Sequence, residues 1–356
     1  HSLKAARVSE LNLIIQMILH IFTTPLNQTS DSDAPCAFVY TVVPVQVLYF
    51  LMFPVALLLN GVAAWVSLHL KSTSTFVVYL KNLVAADLIM TLLIPIKAAS
   101  GLPGASKQLY VLSCRYFSVF FYSTQYTCIS LLGIISVDRF FKIVMPCSKL
   151  GQNLTLGKLI SGAVWAIQFG GTALPNIILS HKSVTNMTEI NSCMKLKAPA
   201  GLEFHEGAVI FVNVFFWFVT VVIVVCYICI ANKVIQSFRN SGSNNNQGKQ
   251  KIKLRVFLVV IVFFVSFGPY HIVRIPYTFL QVNFSSHTNC SYVISKFAKD
   301  LSLWLATTNI CMDPLLYVFL CREFKEKLLS TMEKFSISIK SASADNTENS
   351  RTVNKK

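Results

Sequence analysis

Arg274 stands in the run Phe267-Gly268-Pro269-Tyr270-His271-Ile272-Val273-Arg274-Ile275-Pro276-Tyr277, a guanidinium set among Tyr270, His271 and Tyr277. A guanidinium grips phosphate oxygens in a bidentate fork and a lysine ammonium adds a point charge, so such a cluster recognises a polyanion. Lys299, Lys197, Lys195, Lys107 and His205 are further basic groups that the spans assigned below bring toward the same side. Aromatic rings beside a phosphate-binding charge suit a nucleobase and its ribose. Snorkelling to lipid headgroups is the competing account, and it weighs most for Lys107, Lys182 and Lys195. No Ser-His-Asp arrangement, metal-ligand cluster or Gly-rich phosphate loop is present, so the sequence predicts neither an enzyme nor a cofactor.

A second set of ionisable residues lies inside apolar runs. Asp87 is one, and Asp313 is another, within Asn309-Ile310-Cys311-Met312-Asp313-Pro314-Leu315-Leu316-Tyr317. Charges at membrane depth are costly and demand a reason: a polar pair locking two helices, or a hydrated site whose repacking accompanies switching. Asp138-Arg139 falls at the end of an apolar run with Pro146 in the loop beyond, which gives an otherwise ordinary dipeptide meaning.

These residues need helices to hold them. Charged residues make up 13% of the chain and hydrophobic ones 54%, with a mean hydropathy of +0.57. A soluble chain carries roughly a quarter charged residues, so this one is solvated largely by lipid. The net charge of +16 is spread between apolar runs rather than gathered on a soluble face, which excludes nucleic-acid binding. Seven runs are long enough to span: Ala34 to Leu70, Thr75 to Ala99, Val111 to Phe141, Leu159 to Ser180, Gly207 to Asn232, Val256 to Leu280 and Tyr292 to Leu320. Prolines within them are tolerated because neighbouring helices re-satisfy the freed carbonyls.

The segments after spans one, three and five carry the basic residues, ending with Lys233, Arg239, Lys249, Lys251, Lys253 and Arg255 around a flexible SGSNNNQGKQ stretch. Such loops are expected in the cytoplasm, which puts the N-terminus outside and the C-terminus inside. The sequons at Asn27, Asn186 and Asn283 then fall outside as glycosylation acceptors, together with the poorer one at Asn289, whereas Asn153 is cytoplasmic. Cys36, Cys114, Cys193 and Cys290 share the oxidising side, and spacing alone does not choose their pairing. Residues 1–40 are read as an N-terminal segment, with Leu11 to Phe22 either a signal-peptide core or an upstream extension. Residues 41–321 form the membrane domain. Residues 322–335 follow as an amphipathic helix on the membrane surface, and 336–356 as a disordered Ser/Thr/Asn/Lys-rich tail.

Several motifs carry a resemblance. Asn60, Leu83 to Asp87, Cys114, Asp138-Arg139-Phe140, Trp165, Tyr227 and Asp313-Pro314-Leu315-Leu316-Tyr317 each fall in the proper span of the rhodopsin-like G-protein-coupled receptors, which the chain resembles from about Thr41 to Lys334. The fold implied is an all-α membrane bundle of seven transmembrane helices with a short amphipathic helix after the seventh. By resemblance Cys114 pairs with Cys193 and Cys36 with Cys290. Asp87, Asp138, Arg139, Tyr227, Asn309, Asp313, Pro314 and Tyr317 are the residues of switching and G-protein coupling.

The departures narrow the choice. Phe267-Gly268-Pro269-Tyr270 replaces a Cys-Trp-x-Pro switch, span five lacks a central Pro, and Cys128 stands where a Ser commonly helps hold sodium beside Asp87. The span-six run, Tyr79-Leu80-Lys81-Asn82, Leu174 to Leu179, Gly201 to Glu206 and Leu303-Trp304-Leu305 are similar to the purinergic nucleotide receptors, in their Gi-coupled ADP and UDP-sugar subgroup. That resemblance assigns Arg274, Tyr277, Lys299 and Lys197 to phosphate, and Tyr122, Asn176, His205, Tyr270 and His271 to base and ribose. Val209 and Tyr110 differ from the relatives at two ligand-side positions. The implied function is a plasma-membrane receptor for an extracellular nucleotide, ADP first, acting through heterotrimeric Gi. Receptor kinases and arrestin would act at the tail, and membrane lipid would surround the bundle. A UDP-sugar, another anion or a lipid as ligand, and a transporter or channel, are the alternatives; internal repeats favouring a transporter are not seen.

Overall fold

A computed structural model describes residues 43–71, 74–146, 148, 153–182, 192–240, 246–283 and 290–333. These fold into seven long helical segments packed side by side, followed by one short helix, with no strand among the described residues. Helices α1 (Val43–Leu68) and α2 (Thr75–Ser100) are continuous, and Ser74 caps α2 by accepting a hydrogen bond from the Val77 amide. Helix α3 starts as Lys107–Leu112, widens into a π turn at Ser113–Phe117 and runs on as Ser118–Val144. Helix α4 is likewise composite: Leu154–Trp165, a π segment at Ala166–Ala173, then Leu174–Ile178. A 3₁₀ turn, Cys193–Leu196, precedes α5 (Pro199–Asn240). Helix α6 covers Asn246–Asn283, and α7 is two pieces, Cys290–Thr307 and Asn309–Leu320, broken at Thr308. The short helix α8 (Arg322–Glu333) turns 97° from the preceding Tyr292–Phe319 stretch.

Four of these helices are uninterrupted and apolar enough to cross a bilayer alone: α1, α2, Pro199–Ser237 of α5 and Leu258–Gln281 of α6. In α3, α4 and α7 the breaks divide what the hydropathy pattern reads as one span each. Two helices outrun their apolar stretches. The composition of 241–250 reads as a flexible loop, but α6 already begins at Asn246, and α5 continues to Asn240. Gln and Lys are good helix formers, and a helix need not stop where the hydrocarbon does.

The core is layered along the bundle. Helix α3 is its axis, with every side chain from Tyr126 to Leu131 buried. Around it an apolar cluster of α1, α2, α3, α5, α6 and α7 residues includes Tyr49, Phe121, Phe216, Phe267 and Tyr270. A second cluster joins α2, α3 and α7 to α8, where Phe324 packs on Tyr317. Cys321 is buried there, its sulfur accepting from the Phe324 amide, and so is turned away from the lipid. Cys36, Asn27, Asn186 and residues 336–356 lie outside the described residues, as do the side chains of Cys290 and Asn283.

Candidate functional site

Tyr270, Arg274, Tyr277 and Gln281 recur at helical spacing and so share one face of α6. That face, with α2, α3, α4, α5 and α7, encloses a cavity of about 240 Å³ at the end of the bundle that carries the disulfide. The disulfide Cys114–Cys193 fixes the start of α3 to the 3₁₀ turn, and both cysteines line the cavity. Lys197 follows that turn directly, so the bond determines where its ammonium points.

Arg274 is buried among rings, its guanidinium 5.5 Å from the centre of Tyr122 and 6.0 Å from that of Tyr270. Among the described residues no carboxylate lies within ion-pair distance of it. Lys299 on α7 pairs with its neighbour Asp300 and sits 5.1 Å over Tyr277. Lys197 donates to Asn176 Oδ1 at 3.1 Å and Ser180 Oγ at 3.0 Å, and burial pushes its ammonium down to about 8. His205 Nε2 and Gln281 Oε1 are buried without a hydrogen-bond partner among the described residues, and both residues line the cavity. An anion entering here meets several cations against one carboxylate in a low-dielectric space, where attraction is strong.

Of the nine residues expected to contact the ligand, eight line this cavity: Arg274, Tyr277, Lys299, Lys197, Tyr122, Asn176, His205 and Tyr270. His271 stands behind the wall. Its ring stacks on Phe216 at 3.7 Å, its Nδ1 bonds the Phe267 carbonyl at 2.8 Å and its Nε2 the Tyr126 hydroxyl at 3.2 Å. Next to Tyr270 on a helix, it is rotated by about 100° away from the cavity. Lys107 and Lys195 are exposed and do not reach the site.

One lining cation escapes the sequence reading. Lys97 of α2 points its ammonium over Phe121, Tyr122 and Tyr49, at 4.7, 5.6 and 5.9 Å. The signal is present in the chain: a lysine inside a bilayer-length apolar run requires a polar destination.

Toward the opposite end lies the polar core. Asp87 accepts hydrogen bonds from the Tyr317 hydroxyl and, at 3.5 Å, the Cys128 thiol. Asn309 donates to Asp313 at 2.7 Å, and Asn60 joins α1 to α7 by donating to the Ile310 carbonyl at 2.9 Å. Pro314 is buried beside Asp313. Nearer the end of α3, Asp138 accepts from Thr75 at 2.6 Å and from Lys142 at 2.7 Å, while Arg139 lies 3.9 Å over the Phe76 ring. Tyr227 is buried on α5. The sequence thus brings two clusters together, a cationic cavity at one end and a hydrogen-bonded acid cluster deeper in, linked by α2, α3, α6 and α7.

Comparison with known proteins agrees with this arrangement. The family model of the 7 transmembrane receptor (rhodopsin family) matches residues 59–317. Purinoceptor 13 of Homo sapiens is 41% identical over 328 residues, covering 90% of this chain and 91% of that one. Purinoceptor 13 of Rattus norvegicus is 43% identical over 284 residues, 79% of this chain and 83% of the relative. Purinoceptor 14 of Bos taurus is 38% identical over 310 residues, 85% and 90% respectively. With its composite spans, its Cys114–Cys193 bond and these relatives, the chain belongs to the rhodopsin family of seven-transmembrane receptors, a multi-pass plasma-membrane protein that takes an extracellular ligand and signals to a G protein.

Proposed function

We propose that this receptor binds an extracellular nucleotide, ADP ahead of a UDP-sugar, and signals through Gi to inhibit adenylyl cyclase. The observation that carries the reading is the convergence of Arg274, Lys299 and Lys197 on one aromatic-lined cavity. A diphosphate would lie between Arg274 of α6, Lys299 of α7 and Lys197, with Tyr277 donating at its edge. The base and ribose would fill the space toward Tyr122, Asn176 and His205. The N-terminus and the disulfide end face outward, and the basic starts of α4 and α6 face the cytoplasm.

A ligand shifts a two-state equilibrium only by its differential affinity for the two packings. Drawing Arg274 and Lys299 onto one phosphate chain pulls α6 and α7 together on the outer side. The inner end of α6 then swings outward and opens Arg139 and Tyr227 to the G protein. Asp87, Asn309, Asp313, Pro314 and Tyr317 repack between the two ends, and Asp138 leaves its partner Thr75 on α2. The amphipathic α8 lies on the inner leaflet, and Ser338, Ser341, Ser343 and Thr347 serve kinases and arrestin. Cys36–Cys290 is the second disulfide in this reading, and Asn27, Asn186 and Asn283 are glycosylated.

The test is G-protein activation in cells expressing the chain, dosed with ADP, UDP and UDP-glucose with and without pertussis toxin. A toxin-sensitive response to one of them is the expected result and names the ligand. Silence to all three, with the protein at the cell surface, refutes the nucleotide assignment and leaves the receptor family standing.

A further inference from the structure

The wall of the cationic cavity is one-sided in charge. Among the described residues Lys97, Lys197, Arg274 and Lys299 line it, and no aspartate or glutamate does. Asp300, beside Lys299 in the chain, is ion-paired to it. Oxygen ligands are scarce as well: Asn176 Oδ1 already accepts from Lys197, and Gln281 Oε1 is buried. No group of three or more His, Cys, Asp or Glu side chains able to hold a metal ion occurs among the described residues.

Lys97 has no part in the phosphate clamp and calls for an account of its own. It stands inside an apolar span, where a charge is costly without a reason. Its ammonium lies over the rings of Phe121, Tyr122 and Tyr49, and among the described residues no carboxylate is within ion-pair distance of it. The Arg274 guanidinium faces the same Tyr122 ring. Cations therefore reach the cavity from separate walls: Lys97 from α2, Arg274 from α6, Lys299 from α7, and Lys197 from the turn before α5.

In solution a nucleoside diphosphate exchanges between a metal-free form and a complex with magnesium across its phosphates. Sites that take the complex give the metal oxygen ligands, commonly carboxylates, and magnesium keeps several waters because it dehydrates reluctantly. This cavity presents cations instead, and like charges repel strongly in a low-dielectric space. The bound metal also cancels most of the charge that the cavity attracts. Attraction for one form and repulsion for the other together make a site specific.

We infer that the receptor takes its nucleotide metal-free, and that Lys97 is the residue that turns the magnesium complex away. The inference rests on the nucleotide reading above. Arg274, Lys299 and Lys197 engage the phosphate oxygens, and Lys97 guards the α2 side, where a coordinated metal would otherwise sit.

The test measures binding of radiolabelled ADP to the purified full chain in phosphatidylcholine nanodiscs, with no G protein present and free magnesium varied at constant ionic strength. Where about nine-tenths of the ADP is complexed, half-saturation should need about tenfold more total ADP, because only the free form binds. The exchange-inert chromium(III) complex of ADP, which cannot shed its metal, should compete at least about 30-fold more weakly than ADP. Lys97→Gln leaves the phosphate cations in place and should narrow that ratio at least about threefold. Half-saturation unmoved by magnesium overturns the inference and leaves the nucleotide reading standing. Equal competition by ADP and its chromium complex on the unmodified chain does the same, and that arm depends on no variant folding. A ratio unchanged in a Lys97→Gln receptor that still binds ADP overturns the role given to Lys97. Absence of ADP binding at every magnesium concentration refutes ADP as the ligand, and the inference falls with it.

Discussion

Arg274→Ala tests the phosphate clamp most directly, because Arg274, of the three cations assigned to phosphate, is the one answered only by ring faces. Lys299 has Asp300 beside it and Lys197 has Asn176 and Ser180, whereas Arg274 has the faces of Tyr122 and Tyr270. A guanidinium on a phosphate makes two charge-assisted hydrogen bonds, each worth about 1.5–3 kcal/mol. When it is removed, Lys299 and Lys197 recover part of the loss, so the net effect is set at the worth of one such bond. At about 1.4 kcal/mol per tenfold, agonist potency should fall about 10- to 150-fold. Arg274→Lys keeps the charge but not the fork, and should fall between the two. Truncation also strips two cation–π contacts from the fold, so concentration–response curves for G-protein activation must be compared at matched surface density. A half-maximal concentration for Arg274→Ala within about threefold of the unmodified receptor would refute the clamp.

Lys197 gives a pH signature of defined sign. Its ammonium is held near 8, so the free site loses that charge as pH rises through about 8, and nucleotide potency should decline over that interval. Lys197→Arg should flatten the decline, since arginine stays charged. Lys197's own contribution to stability has the opposite sign: between about 8 and 10.5 the unfolded lysine binds more protons than the folded one, so this group favours folding more as pH rises. Gly201→Ala would place a Cβ 2.6 Å from the Leu179 carbonyl and 3.3 Å from Lys197 Cβ. Because a backbone atom cannot yield, the start of α5 must shift, with a loss of about 1–3 kcal/mol by thermal unfolding and a weaker nucleotide response among the surface-expressed fraction. Tyr317→Phe removes the hydroxyl that bonds Asp87 and should lower thermal stability by about 1.5–3 kcal/mol, whereas an unchanged melting curve would mean that water replaces the donor without cost.

The spans are legible because hydropathy over bilayer length is a strong signal. Their breaks are not, since π turns at Ser113–Phe117 and Ala166–Ala173 leave no periodicity that composition reveals. The extra turns of α6 are hidden for a related reason, a polar stretch that looks like a loop yet holds good helix formers. In the cavity, spacing carries the information: positions 270, 274, 277 and 281 share a helical face, so one basic residue locates its neighbours. The same rule explains His271, whose expected ligand contact comes from the family resemblance and which stands next to Tyr270 in sequence. On a helix, adjacency means divergence, and the imidazole instead joins α3, α5 and α6 through Tyr126, Phe216 and its own backbone, whose carbonyl accepts from Asn213 at 2.7 Å. Lys97 escapes notice for the opposite reason, as one cation lost in an apolar run.

Together Lys97 and His271 show how the site is wired. Lys97 of α2 and Arg274 of α6 face the ring of Tyr122 on α3, and Lys299 of α7 and Lys197 beyond the disulfide-bonded turn line the same cavity. One helical turn deeper on α3, Tyr126 hands the cavity floor to His271 and thence to α5, where Trp217 Nε1 donates to Asn213 at 3.0 Å. Span five has no central proline, so this side-chain bridge between α5 and α6 supplies a fixed joint where a backbone irregularity would otherwise mark one. Arg274 stands only one turn from this joint on the same helix, so a ligand that displaced it would act on α6 next to a fixed point.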